Sequence, residues 1–319
     1  MKDINVISSG AYVVYYGNFY KFLGVEGAIA TLRNGSLKYS NPKIFNDPFD
    51  CDEKLIFLEN PINIAFDLDG VGEELEKFDL TGAKKKQVLN IIRTIVGLYD
   101  SFNPEYKEKV DILLNRFILH PEIRKDLERL KICCFSRQYK TKKSALMWSH
   151  YSQNHYGICL EFNIKEIAND DDVAKNMFIP FVVEYPSKLG VKSIDVGKRY
   201  HNDWLFRKSN IWEYEKEVRM VQKTTDPKDI EYYQFPKRAL KKIIFGYHTT
   251  QETIEEIKGI IVSKYDVSKI KFEKMGMDPK ILVLKAFEYD IDLLRLRILN
   301  RNSEILDSAI SKFDKIPIK

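Results

Sequence analysis

Residues 212–219 read WEYEKEVR, which sets Glu213, Glu215 and Glu217 at alternate positions with Arg219 two further on. A strand projects alternate side chains to one side, so this spacing predicts three carboxylates and a guanidinium on one face. Tyr214, Lys216, Val218 and Met220 then take the other face. A helix would instead stack Glu213 on Glu217 at i and i+4, which repels. Aligned carboxylates raise the free energy unless water, a cation or a reaction offsets them. In a cleft, a Glu-x-Glu pair divides two tasks: one carboxylate stabilises positive charge as it develops, and the other orients an acceptor or takes its proton. On an exposed strand the same pattern is a solvated face with lysines across from it.

Two further stretches carry chemistry-bearing residues. LMWSHYSQNHYG supplies Trp148, His150, Tyr151, His155 and Tyr156, enough aromatic surface to stack a base or a nicotinamide ring, or else to fill a core. FNDPFDCDEK supplies Asn46, Asp47, Asp50, Asp52 and Glu53. Its two Asx-type residues before proline suit a tight turn, while its acids followed by Lys54 allow a metal-dependent nuclease as a second enzyme class. The five histidines form no HExxH or Cys/His array, so no metal is expected through them. Neither a GxxxxGK[ST] nor a GxGxxG phosphate loop occurs. Cys51, Cys133, Cys134 and Cys159 are too few and too irregularly spaced for a disulfide framework.

The elements that must position these residues follow from periodicity. YVVYYGNFYKF is aromatic and β-branched, as strands favour; VEGAIATLRNG has helical spacing and a Gly35 stop; SLKYS alternates as a short strand. Residues 60–131 differ in kind. Helical periodicity and two Pro-Glu starts there predict an inserted helical block, a scaffold or lid. Strand patterns return at ICCFS, YGICLEF, FIPFVVEY, IEYYQF, LKKIIFG, KIKFEKM and ILVLKAFEY. DVGKRYHNDWLFRKS and TTQETIEEIKGIIVSK read as helices, as does a final segment, LLRLRILNRNSEILDSAISKF. With no repeat or low-complexity linker, the expectation for residues 1–319 is a single α+β domain. Its mostly antiparallel sheet carries the helical insertion and a C-terminal helix.

With 44% hydrophobic and 30% charged residues, the chain has the composition of a globular protein with a substantial core. A net charge of +5, from 51 basic and 46 acidic residues, permits a nucleic-acid or nucleotide partner without requiring one. No run nears the roughly 18 apolar residues of a membrane span, and MKDINVISSG lacks a signal pattern, so the expected place is the cytoplasm, away from membranes.

Three segments in order resemble the bacterial family catalogued as domain of unknown function 2971: FYKFLGVEGAIATLRNGSLKYSNPKIFNDPFDC, CFSRQYKTKKSALMWSHYSQNHYGICLEF, and WEYEKEVR followed by KKIIFG. The likeness runs from Phe19 to Gly246. Members are associated with mobile elements and phage-defence neighbourhoods, which implies a defence or toxin role. More distantly, the same pieces resemble ADP-ribosyltransferases of the toxin type, which implies that group's split antiparallel sheet. NFYKFLGVEGAIATLRNGSLKYS looks like the group's first strand, helix and second strand, with Lys21 where it has histidine; CCFS resembles its serine strand; YEKE resembles its Glu-x-Glu. The resemblance implies NAD as substrate and a macromolecular acceptor, protein or nucleic acid. It also implies Glu217 and Glu215 as catalytic carboxylates, and Lys21, Tyr39, Ser136, Trp148, His150, Tyr151 and Arg219 as dinucleotide-binding residues. A non-enzymatic sensor or binding module of a defence system is the third reading, in which the glutamate row is exposed and dispensable.

Overall fold

The computed structural model of the protein describes residues 6–8, 13–52, 82–116, 120–141, 143–163, 165–166, 179–187, 202–226, 228–278 and 283–289. Among the described residues twelve strands form one mixed system: β1 (Val6–Ser8), β2 (Val13–Tyr15), β3 (Asn18–Leu23), β4 (Ser36–Ser40), β5 (Leu130–Ser136), β6 (Ile158–Asn163), β7 (Pro180–Val182), β8 (Glu217–Lys223), β9 (Ile230–Gln234), β10 (Leu240–Phe245), β11 (Lys271–Asp278) and β12 (Val283–Glu288). Their order is β1-β2-β7-β8-β5-β3-β6-β10-β11-β12, and a short wing of β4 and β9 is joined to β5 through β4. Among these strand pairs only β10–β11 runs parallel. The architecture is therefore mixed α/β around an open, mostly antiparallel sheet, as the alternating patterns predict.

The helices are α1 (Val25–Asn34), α2 (Gly82–Gly97), α3 (Pro104–Leu114), α4 (His120–Arg129), α5 (Ser144–Tyr151) and α6 (Gln251–Lys264). α1 ends where its pattern ends, at Gly35 in the left-handed region with φ 65°. α6 starts on Thr250, whose side chain accepts the Thr253 N–H. α1 and α6 cover one face of the sheet: Ala28, Leu32, Ile254, Ile257 and Ile261 pack on Phe19, Phe135, Phe162, Val218 and Phe245. Within the expected block, residues 60–81 lie outside the described residues; residues 82–129 carry α2, α3 and α4, with a small core around Ile92, Tyr99, Val110 and Leu114. The expected C-terminal helix and the start of DVGKRYHNDWLFRKS lie outside the described residues; the latter's described part is a 3-10 helix, Asn202–Phe206.

The opposite face carries α5. Met147, His150 and Tyr151 stand at i, i+3 and i+4 and form one stripe, while Trp148 drives inward against Phe22 with ring centroids 5.1 Å apart. A clasp locks this helix to the sheet. Gln153, Asn154 and His155 all take positive φ (48°, 51° and 69°), and the chain then meets the sheet at two glycines. A Cβ on Gly157 would lie 2.1 Å from the Leu23 carbonyl oxygen, and one on Gly246 would lie 2.1 Å from that of His155. Only glycine permits that approach.

The sheet parts between β3 and β5. They share a single bridge, Tyr20 with Ser136, and further along β5 the Ser40–Ile132 bridge joins it to β4 instead. Continued register would bring Phe22 opposite Cys134. There the Lys21 ammonium reaches the Cys134 carbonyl at 2.7 Å in place of a backbone donor. This gap opens the cleft described next.

Candidate active site

The site is built on β8. The glutamates do not form a row on a strand, because Asn210–Glu215 is a 3-10 helix and Lys216 turns the chain at φ 45° before β8 begins at Glu217. Glu213 is exposed and pairs with Lys216 at 2.6 Å, so the solvated-face reading holds for it alone. Val218 and Met220 do enter the core, as the alternation predicts. Glu215 and Glu217 are each 3% exposed.

They belong to a buried ion network. The Arg219 guanidinium, 0% exposed, grips Glu217 through Nε (2.8 Å) and Nη2 (3.1 Å). It also donates to Asp50 Oδ2 at 2.6 Å and to the Leu205 carbonyl at 2.7 Å. The Lys208 ammonium sits among three carboxylates, 2.7 Å from Glu215 and 3.4 Å from both Glu217 and Asp50. Tyr151 donates to Glu215 Oε1 at 2.5 Å, and Asn46 donates to the Tyr151 oxygen at 3.3 Å. Charges taken from water persist when paired and hydrogen-bonded in this way. Three carboxylates against two bases leave one negative charge in excess.

That excess falls on one group. Burial pushes the Glu215 carboxyl up to about 7, with the charge of Glu217 adding to it. Burial acts on Glu217 in the same sense, but Arg219 and then Lys208 overcome it and hold Glu217 well below the usual carboxylate range. Burial by itself would lower Lys208; Glu217, Glu215 and Asp50 raise it instead, so it stays an ammonium. Two neighbouring acids held in different protonation states is the arrangement that acid–base and charge-stabilising roles require. A stability consequence follows with a definite sign. The folded state holds the Glu215 proton more tightly than the unfolded chain, so Glu215's contribution is complete below about pH 4.3 and is lost as pH rises toward about 7. Glu217 is already ionised in both states across most of that window. The melting temperature of the wild type should therefore fall relative to Glu215→Gln between those pH values; a constant difference would contradict the assignment.

Glu215 and Glu217 form the floor of a cleft of about 420 Å³, walled by β3, β4, β5, α5 and the Ile44–Asp50 loop. Lys21, Ser136, His150 and Tyr151 line it with them. The register explains the convergence: Tyr20 pairs with Ser136, and Ser136 pairs with Glu217, so three distant segments meet at one level. The cleft is lined by charges of both signs. Lys21 is half-buried with a carbonyl and the Phe135 ring as partners, and Lys38 lines the same cleft. Neither has a carboxylate within ion-pair distance among the described residues.

Other expected residues stand elsewhere. Tyr39 faces the α1/α6 core, fully buried against Tyr233, and its strand neighbours Lys38 and Ser40 face the cleft instead. Trp148 is 0% exposed in the core, so of the aromatic residues in that stretch His150 and Tyr151 line the cleft. Arg219 lies behind Glu217 and off the cleft lining, where it fixes the carboxylate. Ser136 lines the cleft, yet its hydroxyl donates to the Glu215 carbonyl at 2.6 Å and so anchors that residue's backbone. His150 Nδ1 meets the Tyr214 hydroxyl at 2.8 Å at the rim.

Lys208 and Tyr185, whose hydroxyl accepts the Glu217 N–H at 2.8 Å, carry no local sequence signal. Asp50, weighed as a nuclease acid, does approach Glu217, but the space among the carboxylates is taken by Lys208 Nζ and Arg219. Among the described residues no group of three or more His, Cys, Asp or Glu is arranged to hold a metal ion, and no helix is long and apolar enough to cross a membrane.

Residues 147–220 match the family model described as "Protein of unknown function (DUF2971)". The matched stretch begins in α5 and ends in β8, and contains Tyr151, Lys208, Glu215, Glu217 and Arg219. No curated protein and no solved structure matches the chain.

Proposed function

We propose that the cleft binds an oxidised nicotinamide dinucleotide and transfers its ADP-ribosyl group to a protein or nucleic-acid acceptor, in the manner of an ADP-ribosyltransferase. The observation that carries this reading is one cleft lined both by two ammonium groups with no carboxylate partner among the described residues, Lys21 and Lys38, and by two buried carboxylates, Glu215 and Glu217. A dinucleotide has the complementary charges, a diphosphate near its middle and a cationic nicotinamide riboside at one end.

Each residue then has a task. Lys21 and Lys38 meet the diphosphate as point charges. His150 and Tyr151 give the nicotinamide ring an edge or face to pack on. When the bond between nicotinamide and ribose breaks, its electron pair leaves with nicotinamide and neutralises the ring, and C1′ of the ribose becomes oxocarbenium-like, as in glycoside cleavage. Glu217, held ionised by Arg219, faces that positive charge without reorganising. The acceptor's nucleophile bonds to C1′ and gives its proton to ionised Glu215.

The two lysines provide the test. Lys21→Met keeps the side chain's length and removes its charge, and is expected to weaken binding of the oxidised dinucleotide about tenfold, measured by calorimetry. Unchanged affinity in the variant, or absence of binding by folded wild type, would remove the reading.

A further inference from the structure

The charge excess at the floor of the cleft bears on which form of a ligand enters. Glu215 lines the cleft and is the one of the three carboxylates that makes no bond to Arg219. It shares Lys208 with Glu217 and Asp50, whereas Arg219 holds Glu217 on two bonds and Asp50 on one. We propose that the floor of the cleft exchanges a proton for a cationic ring: the proton on Glu215 leaves as a pyridinium enters, so the site takes the oxidised dinucleotide and disfavours the reduced form, whose ring is neutral. This rests on the dinucleotide reading above.

The groups facing Glu215 come from every element around it. Lys208 precedes the 3-10 helix, Glu217 and Arg219 come from β8, Asp50 from the loop after β4, Tyr151 from α5, and Tyr185 from the segment after β7. Among the described residues these leave one uncompensated negative charge if every acid is ionised. A buried unpaired charge is costly, so the empty cleft is neutralised by a proton on Glu215, whose carboxyl is pushed up to about 7. A pyridinium resting on Tyr151 and His150 supplies the missing positive charge. The Glu215 O–H bond then breaks, the proton passes to the buffer, and the site's total charge is unchanged. A dihydropyridine ring brings no charge, so the proton stays. The exchange also leaves Glu215 ionised once donor is bound, in the form that takes the acceptor's proton.

Calorimetry at about pH 6, where Glu215 is mostly protonated, reads the exchange as the dependence of binding heat on the buffer's own ionisation heat. With wild-type protein, the oxidised dinucleotide should release close to one proton, and the reduced dinucleotide none while binding about tenfold or more weakly. Glu215→Gln, checked for its fold by thermal melting, should bind the oxidised form without release. Oxidised-form binding with no proton released, release that persists in Glu215→Gln, or equal affinity for both forms would overturn the exchange. The 1-methylnicotinamide cation separates the two claims. If it binds with proton release while no dinucleotide binds, the exchange stands and the dinucleotide reading falls. If neither pyridinium binds, the exchange is overturned as well.

Discussion

Arg219→Met is expected to reduce folding stability by about 3–5 kcal/mol, the range for breaking a buried ion pair from one side. The guanidinium is 0% exposed and makes two bonds to Glu217, one to Asp50 and one to the Leu205 carbonyl. Methionine fills most of its volume, so little of the loss comes from a cavity. The loss arises because Asp50 and Glu217 are left buried with Lys208 as their shared cation, which Glu215 already engages at 2.7 Å. Against a typical total of about 5–15 kcal/mol, such a loss takes a large part of the stability. Urea unfolding at neutral pH should show the midpoint falling with little change in slope. The deficit should shrink on acidification, because protonating the stranded carboxylates removes the uncompensated charge. A loss below about 1 kcal/mol would mean that the network is far wetter than its geometry indicates.

Glu217→Gln is expected to lower the turnover of dinucleotide by about 100- to 1,000-fold, or roughly 3–4 kcal/mol of barrier, while leaving ground-state binding within a few-fold. The amide retains the shape and one acceptor oxygen for Arg219 but loses the charge that, in the proposed reaction, meets the oxocarbenium ion. Lys208 and Arg219 keep Glu217 ionised, so the effect belongs to the transition state and should appear in kcat more than in KM. The variant also unbalances the network, so its rate has to be read well below its melting temperature. A parallel loss of binding and rate would assign Glu217 to holding the fold alone.

Much of the scaffold is legible in local pattern, because helix and strand periods and their punctuation are local physics. VEGAIATLRNG, with its Gly35 stop, becomes α1, the Thr250 cap starts α6, and YGICLEF contains all but the last residue of β6. The site is legible only in part. WEYEKEVR has strand spacing, yet Lys216 adopts a left-handed conformation and the strand begins one residue later, which separates Glu213 from the buried pair. Tyr39 and Lys38 show how tertiary context decides a face: the larger apolar surface goes to the α1/α6 core, leaving lysine to the cleft. Lys208 lies in WLFRKSNIW with nothing near it to mark a buried cation. Its role exists only once β8, the Asp50 loop and α5 are assembled around it.

The central proposal is that the buried carboxylates Glu215 and Glu217 cleave nicotinamide from the dinucleotide and pass on what remains. Folded wild-type protein incubated with dinucleotide labelled in its ADP-ribose half and a bacterial lysate, beside Glu217→Gln, tests it directly. The account predicts nicotinamide release and label on a macromolecule with the wild type, and at least a hundredfold less of both with the variant. Neither release nor transfer by the wild type, or equal amounts from both proteins, would contradict it and leave the network as a purely structural device.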